Sequence, residues 1–129
     1  MSATLIIRDQ EMGQSQVEER ELVVSSERMT VRELIRERVY QEVKDRNAGK
    51  ALKGRMLVTP GSHEARLNDP TTTKQIDWRK QFETACDAFE SNRILVLIDD
   101  RQAERLDDRF DVSSQTTVMF IRLQLLVGG

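Results

Sequence analysis

The sequence predicts an α+β domain built on a mixed β-sheet with one main helix. Three observations lead there. Two runs rich in β-branched and apolar residues precede a well-capped amphipathic helix. Two further apolar runs occupy the C-terminal third. A less regular segment with a second helical pattern separates the halves. The chain of 129 residues fits a single domain over 1–129, long enough to hold a core without disulfides or metal.

Ala3-Thr4-Leu5-Ile6-Ile7-Arg8 reads as the first strand and Val17 to Ser25 as the second. The polar stretch Asp9 to Gln16 between them, with Gly13, predicts a loose loop. Thr30-Val31-Arg32-Glu33 is a capping box, a Thr whose side chain serves the backbone of a Glu three residues on. Behind it Val31, Leu34, Ile35, Val39 and Val43 share one helical face, and Asn47-Ala48-Gly49 supplies the stop. In the stretch 50–74, Arg55 to Thr59 and Glu64 to Leu67 around Pro60-Gly61 fit either a small hairpin or a loop, and Asp69 to Thr73 reads as irregular. A second helix is expected over Asp77 to Ser91, with Trp78, Phe82, Ala85 and Phe89 in a stripe. Ile94 to Ile98 is apolar at every position, the pattern of a strand buried on both faces. A long connection, Asp99 to Asp111, and a polar turn, Val112 to Thr116, lead to a last strand over Thr117 to Leu123. Residues 124–129 form a free, flexible tail in this reading.

Composition excludes several classes of function. Lys+Arg 20 against Asp+Glu 22 gives a net charge of -2 with no basic stripe, so a nucleic-acid partner has no electrostatic footprint. A single cysteine excludes an internal disulfide framework and fits a reducing compartment. No apolar run approaches a membrane span and no secretory leader pattern opens the chain, so no membrane partner and a cytoplasmic location are expected. The lone His63 falls in the turn sequence Pro60-Gly61-Ser62-His63 without companions for a base or metal role. Cys86 falls among Ala85, Ala88 and Phe89 and reads as a small buried hydrophobe rather than a nucleophile. Asp99, Asp100, Asp107, Asp108 and Asp111 do not follow the ligand spacing of a calcium loop. No Gly-rich phosphate loop is present. The expectation is a protein that is not an enzyme, with no catalytic residues, resident metal or cofactor of its own.

Without the segment from about 48 to 92, the order strand-strand-helix-strand-strand is that of a β-grasp domain. The stretch from Ile94 to Gly129 resembles the C-terminal half of the ubiquitin-like family in layout: apolar strand, acidic loop, polar turn with Ser and Thr, apolar strand, six-residue tail, Gly-Gly. The first hairpin and the Thr30-capped helix fit the same plan, while the insertion, about 48–92, has no counterpart in ubiquitin. With Phe120-Ile121-Arg122-Leu123 and Leu126-Val127-Gly128-Gly129, the chain is similar to the ubiquitin-like modifiers of bacterial conjugation operons. The resemblance implies a β-grasp sheet whose first and last strands run parallel at its centre with the helix crossing beneath.

It also implies a function: Gly129, preceded by Gly128, is the acyl donor in an isopeptide bond to a target-protein lysine. The implied partners are an activating enzyme using ATP and magnesium, a conjugating enzyme that carries the modifier as a thioester, and a deconjugating protease. The tail must then enter another protein's site; two glycines permit close backbone approach, and Leu123, Leu125, Leu126 and Val127 are the expected recognition residues. Where ubiquitin carries arginines just before its diglycine, this chain has Leu125 and Val127, which implies a dedicated activating enzyme. The apolar end is also similar to bacterial sulfur carriers, whose terminal glycine becomes a thiocarboxylate, so that alternative stays open. So does a non-covalent interaction module with an incidental Gly-Gly. Lys44, Lys50, Lys53, Lys74 and Lys80 are ordinary candidates for chain formation, none preferred. Since the chain ends at Gly129, no maturation cleavage is expected. The aromatic stripe of the insertion is expected to enlarge the core, with a partner interface as the alternative.

Overall fold

The computed structural model describes residues 2–50, 56–60, 76–123 and 127–128. In chain order the elements are β1 (Ala3–Glu11), β2 (Val17–Val24), β3 (Arg28–Thr30), α1 (Val31–Asn47), β4 (Thr59–Pro60), α2 (Trp78–Glu90), β5 (Ile94–Ile98), β6 (Arg101–Gln102), β7 (Arg109–Asp111), β8 (Thr117–Arg122) and β9 (Val127–Gly128). The main sheet has the order β2-β1-β8-β5-β6. β1 and β8 are parallel, Ile7 opposite Val118 and Asp9 opposite Phe120, and the other pairs are antiparallel. This mixed five-stranded sheet with a helix packed on it is an α+β fold compatible with a β-grasp.

The capping box forms as expected. The Thr30 hydroxyl accepts from the Glu33 N–H at 3.1 Å, and the Glu33 carboxylate accepts from the Thr30 N–H at 3.4 Å. Two more N–H groups of this helix end, on Val31 and Arg32, donate to the carbonyls of Asp108 and Leu106, both at 2.9 Å. The long connection after β5 therefore lies against the start of α1. It also holds β7, which pairs with β3, a two-stranded ladder absent from the sequence reading because three residues carry no readable alternation. β1 runs past the expected end at Arg8, since Gln10 and Glu11 still pair with β8. The loop holding Gly13 (φ 85) is correspondingly shorter than anticipated.

Between β5 and β6 both turn residues, Asp99 (φ 50) and Asp100 (φ 66), are left-handed, as a two-residue hairpin turn of matching twist requires. An Asp99 carboxylate oxygen accepts from the Thr117 N–H at 2.9 Å and ties the turn to the start of β8. The expectation that β5 is buried on both faces holds for one. Ile94 and Val96 are fully buried, whereas Leu95, Leu97 and Ile98 are half-buried. Both helices contribute to the same core. Leu5, Ile7, Val118, Phe120, Ile94 and Val96 of the sheet meet Leu34, Ile35 and Val39 of α1 and Ala85, Ala88 and Phe89 of α2.

Within that core lies an ion cluster. Arg38 is 1% exposed, and its guanidinium donates to both carboxylate oxygens of Asp9 at 2.6 Å, a bidentate pair. Its flat face covers the Phe120 ring at 4.5 Å. Arg20 joins from β2, 3.4 Å from Asp9 and hydrogen-bonded to Glu42. Glu42 in turn lies 3.5 Å from Arg38 one helical turn away. Arg122 of β8 pairs with Glu11 at 3.2 Å. Burial pulls the Arg38 guanidinium down to about 10, and the Asp9 charge and hydrogen bonds act against it, so it remains a cation at neutral pH.

Among the described residues no helix is long and apolar enough to cross a membrane.

A buried cation that loses its partner is costly. Asp9→Ala is expected to destabilise the protein by about 3–5 kcal/mol, and Asp9→Leu with Arg38→Met to recover much of that; urea unfolding midpoints measure both. A double variant no more stable than Asp9→Ala would disprove the pairing argument.

Candidate functional site

The chain end that the sequence singles out begins where the central strand stops. At the end of β8 the Arg122 carbonyl accepts from the Met12 N–H at 2.8 Å, and the Leu123 N–H donates to the Arg93 carbonyl at 2.9 Å. The main chain is thus held on both sides as it leaves the sheet. Leu123 is half-buried there.

The inserted segment meets the chain end at this place. Met56, Leu57 and Val58 are buried, although they precede only a two-residue strand. Their backbone is held by the ion cluster: Arg122 Nη1 donates to the Met56 carbonyl at 2.7 Å, and the Leu57 N–H donates to Glu42 Oε1 at 3.0 Å. Asn47, in the last turn of α1, grips the insertion again just before α2. Its side-chain oxygen accepts from the Ile76 N–H and its side-chain nitrogen donates to the Ile76 carbonyl, both at 3.1 Å. Just past Val58, β4 runs parallel to β9, with Thr59 opposite Val127 and Pro60 opposite Gly128. The expected free tail is, at these two residues, a strand on the insertion. Extended backbone carries donors and acceptors that need partners, and the short strand at Thr59 supplies them.

α2 flanks the same two residues. Asp77 caps it, accepting from the Arg79 N–H at 3.0 Å. Trp78 at its first turn stands edge-on to Tyr40 of α1, centroids 5.3 Å apart at 88°, and 6.4 Å from Phe82. The guanidinium carbons of Arg36 and Arg79 lie 5.7 and 5.2 Å from the Trp78 ring centroid. Phe89 is in the core, and Trp78 and Phe82 are partly buried against it, as the core-enlarging reading of the stripe requires.

Of the residues singled out by sequence, Val127 and Gly128 lie in β9 and Leu123 leads toward them. Gly129, Leu125, Leu126, His63, Lys53, Lys74 and the Glu64–Leu67 stretch fall outside the described residues. Lys44, Lys50 and Lys80 are exposed. The acidic loop residues hold separate structural bonds. Asp107 pairs with Arg32 and Asp111 lies 3.7 Å from Arg28. Asp108 accepts from the N–H groups of Arg105 and Glu104, and those bonds lower its carboxyl pKa. Among the described residues no group of three or more His, Cys, Asp or Glu could hold a metal ion. Sequence reasoning missed Asp9, Arg38, Glu42 and Arg122 and read Asn47 only as part of a helix stop, although a signal existed: Arg38 and Glu42 fall on the apolar face of α1, beside Leu34, Ile35, Val39 and Val43.

No protein-family model, curated protein or solved structure matches this chain.

Two outcomes follow from α2. Removing the half-buried Trp78 ring is expected to cost about 2 kcal/mol, below the value for a fully buried aromatic; unchanged stability of Trp78→Ala would make the stripe an interface instead. Burial pushes the Cys86 thiol up to about 11 from 9.0. Its neutral form is the stable one in the folded state, so this contribution is complete below pH 9 and disappears as pH rises through 11. Iodoacetamide should therefore alkylate Cys86 slowly at pH 8, with the rate climbing toward pH 11. A rate plateau already reached by pH 9 would contradict that environment.

Proposed function

We propose that this chain is a ubiquitin-like protein modifier of the kind found in bacterial conjugation systems, and that it is the substrate of enzymes rather than an enzyme itself. What supports the reading is the relation between sheet and chain end. The last strand of the central parallel pair runs out at Arg122, and six residues on the sequence closes in Gly128-Gly129. The sheet order, with β1 and β8 parallel at its middle and α1 packed against it, is compatible with the β-grasp that such modifiers share.

The chemistry asks little of the modifier beyond this end. The Gly129 carboxylate attacks the α-phosphate of magnesium-bound ATP on the activating enzyme and displaces pyrophosphate. A thiolate of that enzyme then takes the acyl group and releases AMP; transfer to a conjugating enzyme keeps it a thioester. A target lysine amine finally displaces the thiolate and forms the isopeptide bond, which a deconjugating protease hydrolyses. Glycines at 128 and 129 leave the carbonyl open to each attack, since neither carries a Cβ. Leu123, Leu125, Leu126 and Val127 give the tail apolar handles in place of charge, so the activating enzyme should present an apolar groove. That apolar end equally suits a sulfur carrier, whose adenylate is attacked by a sulfur donor to leave a thiocarboxylate.

Trypsin cleaves after Arg122, so each modified lysine recovered from the native host should carry the branch Leu123-Gln124-Leu125-Leu126-Val127-Gly128-Gly129. Mass spectrometry reads it directly. A chain lacking Gly128 and Gly129 should fold normally and leave no branch on any protein. Conjugation that persists in that variant ends the proposal. An intact chain with one oxygen replaced by sulfur identifies the sulfur carrier, and neither product leaves the interaction module.

A further inference from the structure

The edge on which the chain end lies is put in place by the core. Met56, Leu57 and Val58 are 7%, 1% and 2% exposed. Their backbone is bonded to two buried charged side chains, Glu42 of the central cluster and Arg122, which pairs with Glu11. β4 emerges directly from that fixed stretch, and α2, with Ala85, Ala88 and Phe89 in the core, stands beside it. Val127 and Gly128 lie between these two walls, paired in parallel register with Thr59 and Pro60. Pro60 has no N–H to donate, so this edge offers only a short ladder.

We infer that β4 and α2 form a docking site whose occupant is the chain's own C-terminal end, closed in the resting protein and opened before a partner acts on the terminal carboxylate. The occupant is a matter of geometry, since residues 127–128 are the segment seated there. Tethering favours the intramolecular partner: Arg122 both starts the tail and holds the Met56 carbonyl, so the tail is kept near its site at a high effective concentration. An enzyme that threads the last residues through a narrow groove needs the same backbone edge that β4 uses. The two states exclude each other, and the enzyme's apparent affinity is its intrinsic affinity multiplied by the open fraction. That last consequence rests on the modifier reading; the docking itself does not.

Nitrogen relaxation and amide exchange at Gly128, in the full chain with its own C-terminus, test the docking. The expected result is sheet-like order, near 0.85, with exchange slower than in an unstructured peptide. An order parameter below about 0.6 with unprotected exchange describes a frayed end and overturns the proposal. A second test locks the site. Adjacent strands lie about 4.8 Å apart, within the Cα span that a disulfide bridges. In a Cys86→Ser background, Thr59→Cys with Val127→Cys should therefore oxidise to an intramolecular disulfide in monomeric protein. Carboxypeptidase should release the terminal glycines at least about tenfold more slowly from the oxidised than from the reduced form. Intermolecular disulfides only, or equal release rates, overturn the proposal. The activating enzyme, once in hand, should adenylate the reduced form and not the oxidised one. Failure on both forms counts against the modifier reading alone, because exchange and carboxypeptidase report on docking without that enzyme.

Discussion

Everything in this fold depends on keeping the Arg38 guanidinium paired inside the core. A cation at 1% exposure has given up its water, and only well-aimed acceptors make that tolerable. Asp9 supplies two, both at 2.6 Å, from β1, the strand that lies between β2 and β8. Arg20 and Glu42 extend the cluster to the edge strand and back to α1, and a neighbouring pair, Glu11 with Arg122, joins β1 to β8. The arrangement sets register as well as adhesion. A slip of β1 by one residue would turn Asp9 to the open face and leave Arg38 and Arg20 facing each other without it. Apolar contacts between Leu5, Ile7 and α1 tolerate small displacements, whereas a bidentate ion pair does not.

The same charges decide where the insertion goes. Its backbone has polar groups that must be satisfied if Met56, Leu57 and Val58 are to be buried. Arg122 and Glu42 each use remaining bonding capacity on that stretch, one on a carbonyl and one on an N–H. Asn47 does the same for Ile76 at the far side. The insertion is therefore bonded at two places, at Met56 with Leu57 and at Ile76, to elements of the basic domain. The main sheet, α1, β4 and the chain end form one mechanical path from Asp9 to Gly128.

How far this was legible follows from which signals are local. Thr30 and Glu33 announced the helix start because a capping box is a four-residue device that needs no distant partner. The strands and the second helix showed through periodicity, and so did the order that suggested the fold class. The ion cluster was written in the same periodicity but in the wrong alphabet. Asp9 continues the inward series Leu5, Ile7; Arg122 continues Val118, Phe120; Arg38 and Glu42 interrupt the apolar face of α1 at helical spacing. Read as polarity, Asp9 began a loop and Arg38 and Glu42 lay off the apolar face of the helix. Read as position, they point inward. β3 and β7 were too short to show any pattern, and Thr59-Pro60 carries a proline that argues against a strand. Gly128-Gly129 stood out as a motif, yet the residues its neighbours pair with lay far away in sequence, beyond local reading.

The strength of each link along that path is what makes an exchangeable end compatible with a stable domain. Met56 to Val58 are buried and bonded to charges, so removing them would uncover apolar surface and break charge-assisted bonds. One residue further, Thr59 is half-buried and its ladder to the tail is two residues long. The boundary between the strong and the weak part falls between Val58 and Thr59. A partner that takes up Val127 and Gly128 has to compete only with the weak part, and by no more than its differential affinity for the open state. A longer ladder would raise the closure that a partner has to overcome. A shorter one would leave the apolar tail loose. The core thus stays shut while the end opens, because the ion cluster stops the opening at Leu57 and Met56, where the backbone is bonded to Glu42 and Arg122.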